Sequence, residues 1–581
     1  MRYLRMLSNS IFVGLVAAVY LTLLVVLLNP SVPLTIGATA PVLAVVTLSY
    51  GVHIAAVTYA GYVLRQLIVL ELLWPAWVSL RILAWSSGLA SAAVALLLWL
   101  NVSGFRTALD ARLVPSLMQG AVVLAIGGGL LLALALTRTF VQRAPVFVGT
   151  LYAAIAVSSV VFPLLLRGEV HNTRAAAPAV FSDTAPPPDS DRVVALFLDG
   201  ASLDIISPAV AAGRLPNFSR LLDDGASMHL ATTRPTQAEP VWSSVVTGKW
   251  PAQHGIRGAA VYRPFLNGPA IHVLPDLLFT QALVRFGFLV EEPHSAASLR
   301  ATPLWRILSS RGLTTGVIGL PLTHPAEPLR GFMVSDRFHR RLDPAVELGA
   351  RPAVYPPGID DITLAAPLDT RAPPTRSARL ELIPQTGESG SDVIADQLHH
   401  ELATRLGAER AVRVLAVRYA GLDAVAHYYL RYATPDAFGD VSEQERQRFG
   451  RVLDDYYAYV DTLIGDTLAT LRTGDLLLVV SGFGMEPLTP GKRLLERLAG
   501  NAQFSGTHER APDGFLLAFG TSVARGRVPR GAVVDVTPTL LYFLDQPVAR
   551  DMDGFARTDL FTESFNARHT ITFIPTYDRQ E

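Results

Sequence analysis

The first 167 residues carry only 11 acidic or basic side chains (nine Arg, Glu71 and Asp110), whereas the 414 that follow carry 87. A stretch so poor in charge has the composition of polypeptide that faces hydrocarbon, and the remainder is long enough for one large globular domain. The zero net charge is the sum of a front at +7 and a back at −7, so it says nothing about a partner. A soluble enzyme, a disordered chain and a basic nucleic-acid binder are excluded together, and no nucleic-acid polymer is expected as a partner. The chain has no cysteine, hence no disulfide framework and no thiolate ligand or nucleophile. Any metal must be held by His, Asp and Glu.

Five apolar stretches, near 10–29, 38–60, 82–101, 114–137 and 145–166, are long enough to cross about 30 Å of hydrocarbon as helices. Arg2 and Arg5 precede the first as they would in a signal peptide, but the run is too long and no small-residue cleavage site follows, so it is expected to be an anchor. Residues 66–80 are short, with Glu71, Pro75 and two Trp, and suit an interfacial or re-entrant helix better than a sixth span. With five spans, Arg2, Arg5, Arg65, Arg81, Arg138 and Arg143 fall on one side and Arg106, Arg112 and Arg167 on the other. The positive-inside rule then places the N-terminus in the cytoplasm and everything after residue 167 in the periplasm or outside the cell, with the bilayer as partner of a multi-pass membrane protein. His53 is read as packed against a neighbouring helix, not as part of a proton path.

Residues 168–191 are rich in Pro and Ala without periodicity, which marks a linker. From 192 onward short β-branched runs alternate with helical segments: RVVALFLDG, TTGVIGLP, AVRVLAVRYAG, DLLLVVSG and GFLLAFG. That alternation predicts an α/β domain over 192–560 with a mostly parallel central sheet and helices on both faces, and such domains place their sites at the carboxyl ends of strands. Segments near 262–300 and 337–390 lack the alternation and are expected to be insertions capping the sheet edge. Residues 561–581 are expected to be a tail.

The polar residues that end those runs are the candidates. Asp199 closes LFLDG, where an Asp-Gly turn is the simplest reading. Asp423 and His427 lie four apart in GLDAVAHYY, so a helix would turn both to one face, where a carboxylate and an imidazole can share a metal. His508 stands in GTHERAPDG ahead of another strand, and His254 in PAQHGIRG suits a loop imidazole bonded to backbone.

Together these segments resemble one family. FLDGASLDIISPAVAAGRLPNFSRLLDDGA followed by PTQAEPVWSSVVTGKWPAQHGI, then RYAGLDAVAHYY, VVSGFGMEP, GTHERAPDGFLLAFG and VDVTPTLLYFLDQPVARDMDG, resembles in order and spacing the type I phosphodiesterases and nucleotide pyrophosphatases of the alkaline phosphatase superfamily, over about 192–555. The resemblance implies two metal ions, usually zinc, in a strand-end cleft, and a Thr or Ser that attacks phosphorus. It also implies that Asp423, His427 and His508 hold one metal, and that Asp199, the nucleophile and an Asp-His pair hold the other. Here the nucleophile position is Ala238 and the Asp-His pair is Gly482-Phe483. Alanine has no oxygen, glycine no side chain and phenylalanine no lone pair, so about one zinc per chain is expected. Thr236, two residues earlier, and Glu239, the next residue, are the conceivable replacements, as nucleophile and as ligand or general base.

Three functions remain open on these residues. The first is a membrane-anchored, single-zinc metallohydrolase for a phosphorylated small molecule, lipid or glycan, in which water attacks without a covalent intermediate. The second is a pseudoenzyme whose cleft binds or scaffolds. The third, by analogy of architecture alone, is a phosphoethanolamine-type lipid-linked transferase. The topology has its own test: in this Cys-free chain, Ser190→Cys should react with an impermeant thiol reagent in intact cells. Labelling only after lysis would overturn it.

Overall fold

The computed structural model describes residues 1–69, 76–140, 147–168, 191–278, 280–342, 352–359, 382–383, 388–498 and 500–578, and the chain forms two compact units. The first consists of Met1–Thr173 together with Ala260–Pro293, and the second of Arg174–Ala259 with His294–Glu581.

The first unit is built on helices α1 (Arg2–Leu28), α2 (Ile36–Val46), α3 (Val52–Val69), α4 (Leu80–Gly104), α5 (Val114–Phe140) and α6 (Phe147–Leu166). A π turn, Thr47–Gly51, joins α2 to α3, and among the described residues five helical stretches are long and apolar enough to cross a membrane. Small residues let the helices approach closely: a Cβ on Gly14 would lie 2.3 Å from the carbonyl oxygen of Gly51, and one on Gly128 would lie 2.9 Å from the Ala92 nitrogen. Arg167, buried beyond the end of α6, donates to the carbonyl of Val26, an acceptor in the last turn of α1, and to that of Val32 in the chain that follows it. Residues 66–69 continue α3; Glu71 and Pro75 lie outside the described residues, as do 169–190 of the linker and Ser190 itself.

Residues 260–293 depart from the expectation of a cap on the sheet. They form a hairpin, Ala260–Pro264 antiparallel to Leu289–Pro293, whose intervening chain packs on the helices of its own unit. Ile271, Leu283 and Leu289 bury against Ala18, Val42, Val45 and Val46, and Val273 against Leu24, Leu28 and Leu98. The polar anchors are equally specific. Asn29 accepts the N–H groups of His272 and Val273, both at 2.9 Å, and donates to the Val273 carbonyl at 2.7 Å, while Asn101 accepts Asp276 N–H at 2.7 Å. The Tyr50 hydroxyl donates to the Leu278 carbonyl. The insertion was recognisable by its broken periodicity, but its apolar residues suit a helix face as well as a sheet edge.

The second unit is organised by a sheet that, among the described residues, has ten strands: β1 (Val193–Leu198), β2 (Ala226–Ala231), β3 (Thr315–Ile318), β4 (Gly331–Val334), β5 (Val354–Tyr355), β6 (Val414–Tyr419), β7 (Leu476–Phe483), β8 (Asp513–Phe519), β9 (Gly526–Arg527) and β10 (Gly531–Ala532). Their order is β9-β2-β8-β7-β1-β6-β3-β4-β5, with β10 beside β2; β8 runs antiparallel to both neighbours, β5 is antiparallel to β4, and the other pairings are parallel. Central β1 is buried along its whole length, which is why it reads as an unbroken apolar run instead of an alternating one. Of the segment expected as a second cap, 343–351, 360–381 and 384–387 lie outside the described residues, and Val354–Tyr355 extends the sheet. The chain end is no tail. Phe561 and Phe565 pack with Tyr542 and Phe543, Phe573–Ile574 pairs with Val548–Ala549, and Asp578 bonds Lys249 at 2.6 Å, because this segment is rich in aromatic residues that need a core.

Asn29→Ala would remove the acceptor of the buried Val273 N–H and of the part-buried His272 N–H and should cost about 1–3 kcal/mol locally. Limited proteolysis in detergent should then cut within 260–293 well before the unaltered protein is cut. An unchanged cleavage rate would contradict this docking.

Candidate functional site

Register brings the site together. Phe197 of β1 lies opposite Arg418 of β6, and Leu198 opposite Ser481 of β7, so the residue after β1, Asp199, emerges between the ends of its two neighbours. The helix Gly421–Ala433 begins two residues after β6 and carries Asp423 in its first turn and His427 one turn later. Its start is fixed by the buried Asp396, which accepts the N–H groups of Ala420 and Gly421 and the hydroxyl of Tyr456. Gly421 has to be glycine: a Cβ there would fall 1.8 Å from the Tyr456 oxygen. His508 comes from the loop that follows the short pairing of Glu486–Pro487 with Gly506–Thr507.

Asp423, His427 and His508 converge, with one ligand atom from each lying within 4.8 Å of the others, and among the described residues they are the one such group. Each imidazole is oriented from behind. Nδ1 of His427 donates to the Gly506 carbonyl at 2.8 Å, and Nδ1 of His508 to the Thr236 carbonyl at 2.8 Å, which leaves both Nε2 atoms with a lone pair that could take a metal. His427 Nε2 is 3.3 Å from Asp423 Oδ2, while Asp423 Oδ1 is buried with no hydrogen-bond partner. A buried carboxylate oxygen without a donor, facing two aimed imidazoles, fits a metal ion. Burial works against the charge on Asp423, but His427 and His508 outweigh it and bring its pKa down to about 2. Burial also opposes the charge on His427, which Asp423 reverses, so that imidazole titrates above its ordinary value; burial dominates at His508 and lowers it.

Asp199 is placed beside this group and serves a different partner. It is buried, and it accepts Arg418 Nε at 3.0 Å, Arg418 Nη2 at 2.5 Å and Trp242 Nε1 at 2.8 Å. Burial disfavours the Arg418 charge, yet the Asp199 carboxylate more than compensates and holds the guanidinium above the usual arginine range. Among the described residues the hydrogen bonds of Arg418 use Nε and Nη2, and Nη1 has no partner there, so that edge of the fork is open. Sequence reasoning missed Arg418, although an arginine inside VLAVRY is a lone charge in an apolar strand and requires a buried counter-charge.

The positions expected, from the resemblance, to lack second-metal ligands are packed with apolar groups. Phe483 is fully buried, its ring 5.0 Å from that of His508 and 6.5 Å from that of Trp242. A Cβ on Gly482 would sit 2.3 Å from Val241 Cγ1, so the valine occupies the space of the missing side chain. Ala238 is the first residue of the helix Ala238–Thr247, whose start has no side-chain cap. The hydroxyl of Thr236 is buried and donates to the Thr233 carbonyl at 2.9 Å, so what Thr236 offers the site is the carbonyl that orients His508. Glu239 lies in the first turn of the same helix, within electrostatic reach of Arg418. His254 stays apart, buried between Ser244 Oγ and the Ile256 N–H.

Introducing ligand side chains at these positions therefore takes more than the two substitutions themselves. Gly482→Asp with Phe483→His should lower stability by about 2–4 kcal/mol through overpacking and buried polarity, and adding Val241→Ala should recover part of the loss. Equal denaturation midpoints with and without Val241→Ala would contradict the filled-space account.

The sequence matches the family model described as type I phosphodiesterase / nucleotide pyrophosphatase over residues 193–537. No curated protein is similar enough to count as a relative. Solved structures with similarity include murine ectonucleotide pyrophosphatase / phosphodiesterase 5, inactive and in complex with AMP (14% identity, TM-score 0.36), and the human protein of the same name (14%, TM-score 0.37), each alignment covering 64% of this chain and 100% of that one. The match spans more than half of the chain and includes every strand-end residue described above: the chain belongs to the type I phosphodiesterase / nucleotide pyrophosphatase family.

Proposed function

We propose that this chain is a membrane-anchored phosphodiesterase-type hydrolase that cleaves a phosphoester outside the cytoplasm, with one zinc ion and one arginine in place of two metals. The observation that carries the reading is the pairing of two unlike half-sites: Asp423, His427 and His508, oriented from behind and with an unpartnered carboxylate oxygen, beside an Asp199 whose charge is met by Arg418. Zinc bound by the three ligands would supply Lewis acidity and a lowered pKa for water.

The protein's own groups perform the rest. Arg418, held on two of its nitrogens by Asp199, presents its open Nη1 edge to a phosphoryl oxygen without having to reorganise as charge develops there. The uncapped start of the helix Ala238–Thr247 adds N–H groups and the positive end of a dipole where relatives carry a nucleophile. Ala238 cannot attack, and Thr236 has its hydroxyl engaged within its own loop, so the reaction is direct attack of water on phosphorus with no phospho-enzyme. Glu239, near Arg418, is the carboxylate assigned to this cationic corner, as general base or as a restraint on the guanidinium. The missing nucleophile argues against the lipid-linked transferase reading. The pseudoenzyme reading draws on the same substitutions at Ala238, Gly482 and Phe483, but it leaves the intact three-ligand group without a use.

Hydrolysis of bis(4-nitrophenyl) phosphate by the full-length protein should require added zinc and disappear with a chelator. His427→Ala should abolish it, and Arg418→Ala should lower kcat by about 10²–10³, with Arg418→Lys intermediate. Zinc should also be lost as the pH falls from about 7 to 5, because protons compete for His427, whose pKa Asp423 raises. No zinc-dependent turnover of this diester or of a phosphomonoester would establish the pseudoenzyme reading instead, and a phospho-Thr236 would sink direct attack by water.

A further inference from the structure

A second polar pair adjoins the backbone of Arg418. His399, on the helix Glu388–Glu409, is 4% exposed, and His339, on the turn Phe338–Leu342, is 7% exposed. Their rings meet edge to face with centroids 6.1 Å apart. His399 Nδ1 donates to the backbone carbonyl of Arg418 at 2.9 Å, so its Nε2 is the lone-pair nitrogen, and that atom has no partner. Neither nitrogen of His339 has a partner. Gly319, at φ +72°, makes room for this arrangement: a Cβ there would lie 2.2 Å from His399 Cε1. Burial pushes both imidazoles down, His399 to about 4 and His339 to about 3, so both are neutral at physiological pH.

The tautomers restrict what such a pair can bind. His399 Nε2 only accepts, whereas neutral His339 has one N–H to donate and one lone pair. An anionic oxygen would face a lone pair at His399. A cation would find no carboxylate completing the set, since the one three-ligand group among the described residues is elsewhere, and it would also meet the positive field of Arg418. A hydroxyl satisfies both at once, donating to His399 Nε2 and accepting from His339. Leaving such buried groups unmatched costs about 1–3 kcal/mol each, so the pair is a selective device and not neutral filling.

We propose that His339 and His399 form a hydroxyl-recognition subsite for the alcohol portion of the substrate, next to the arginine that binds its phosphoryl group. The assignment rests on the phosphodiesterase reading of the adjoining cleft. His399 joins the two, because it bonds the backbone of the same residue whose guanidinium is fixed by Asp199.

The test uses the full-length zinc-loaded protein in detergent and two diesters that differ only in hydroxyls, glyceryl and propyl 4-nitrophenyl phosphate. The unaltered protein should favour the glyceryl ester in kcat/KM by tenfold or more, as sites built to bond a hydroxyl do. His399→Phe, and separately the milder His339→Gln, should each bring that ratio to within about threefold of one, with thermal unfolding used to verify folding. A ratio near one in the unaltered protein, or a ratio that neither substitution moves, would overturn the subsite and show that the pair holds only water. If neither diester turns over, the phosphodiesterase reading fails on its own. Calorimetric binding of glycerol 1-phosphate against propyl phosphate then decides the subsite: a tenfold preference lost in His399→Phe supports it, and equal affinities refute it.

Discussion

The cleft depends on the charge of one buried carboxylate. Asp199 is forced into the interior because it ends a central strand flanked on both sides, and an isolated carboxylate there would be costly. The counter-charge comes from Arg418 on the adjacent strand, with two hydrogen bonds. Removing one partner of such a pair costs about 3–5 kcal/mol, so the carboxylate and the arginine are retained or lost together. On the proposed reading, the guanidinium at Asp199 does the work that a second metal would otherwise do.

The neighbouring residues are apolar: Gly482 and Phe483 form a continuous filling with Val241 and Trp242. The Phe483 ring also packs on His508 and so forms a wall of the three-residue group. Both imidazoles of the group Asp423, His427 and His508 have a backbone acceptor that orients them, and one of those acceptors, the Thr236 carbonyl, lies two residues before Ala238, the first residue of its helix.

Much of this was legible in the residues, for reasons that differ by element. The apolar helices show because length and hydropathy suffice to mark them, and the α/β unit shows because buried parallel strands are unbroken apolar runs. Asp423, His427 and His508 were recognisable by motif and spacing. Arg418 was visible but unremarked, a single charge within a strand. Two features had no usable local signal. The hairpin at 260–293 is anchored by Asn29 and Asn101, more than 170 residues away in sequence, and ordinary helix residues in appearance. Val241 fills the place of a side chain missing 241 positions later, a relation that only the packed fold reveals.

The central claim, that one arginine has taken the place of one metal, is open to direct inspection by anomalous X-ray diffraction at the zinc edge from crystals of the zinc-loaded protein. The account predicts a single peak among Asp423, His427 and His508, with Arg418 still bonded to Asp199. A second peak at Asp199, with the guanidinium swung away from it, would contradict the account.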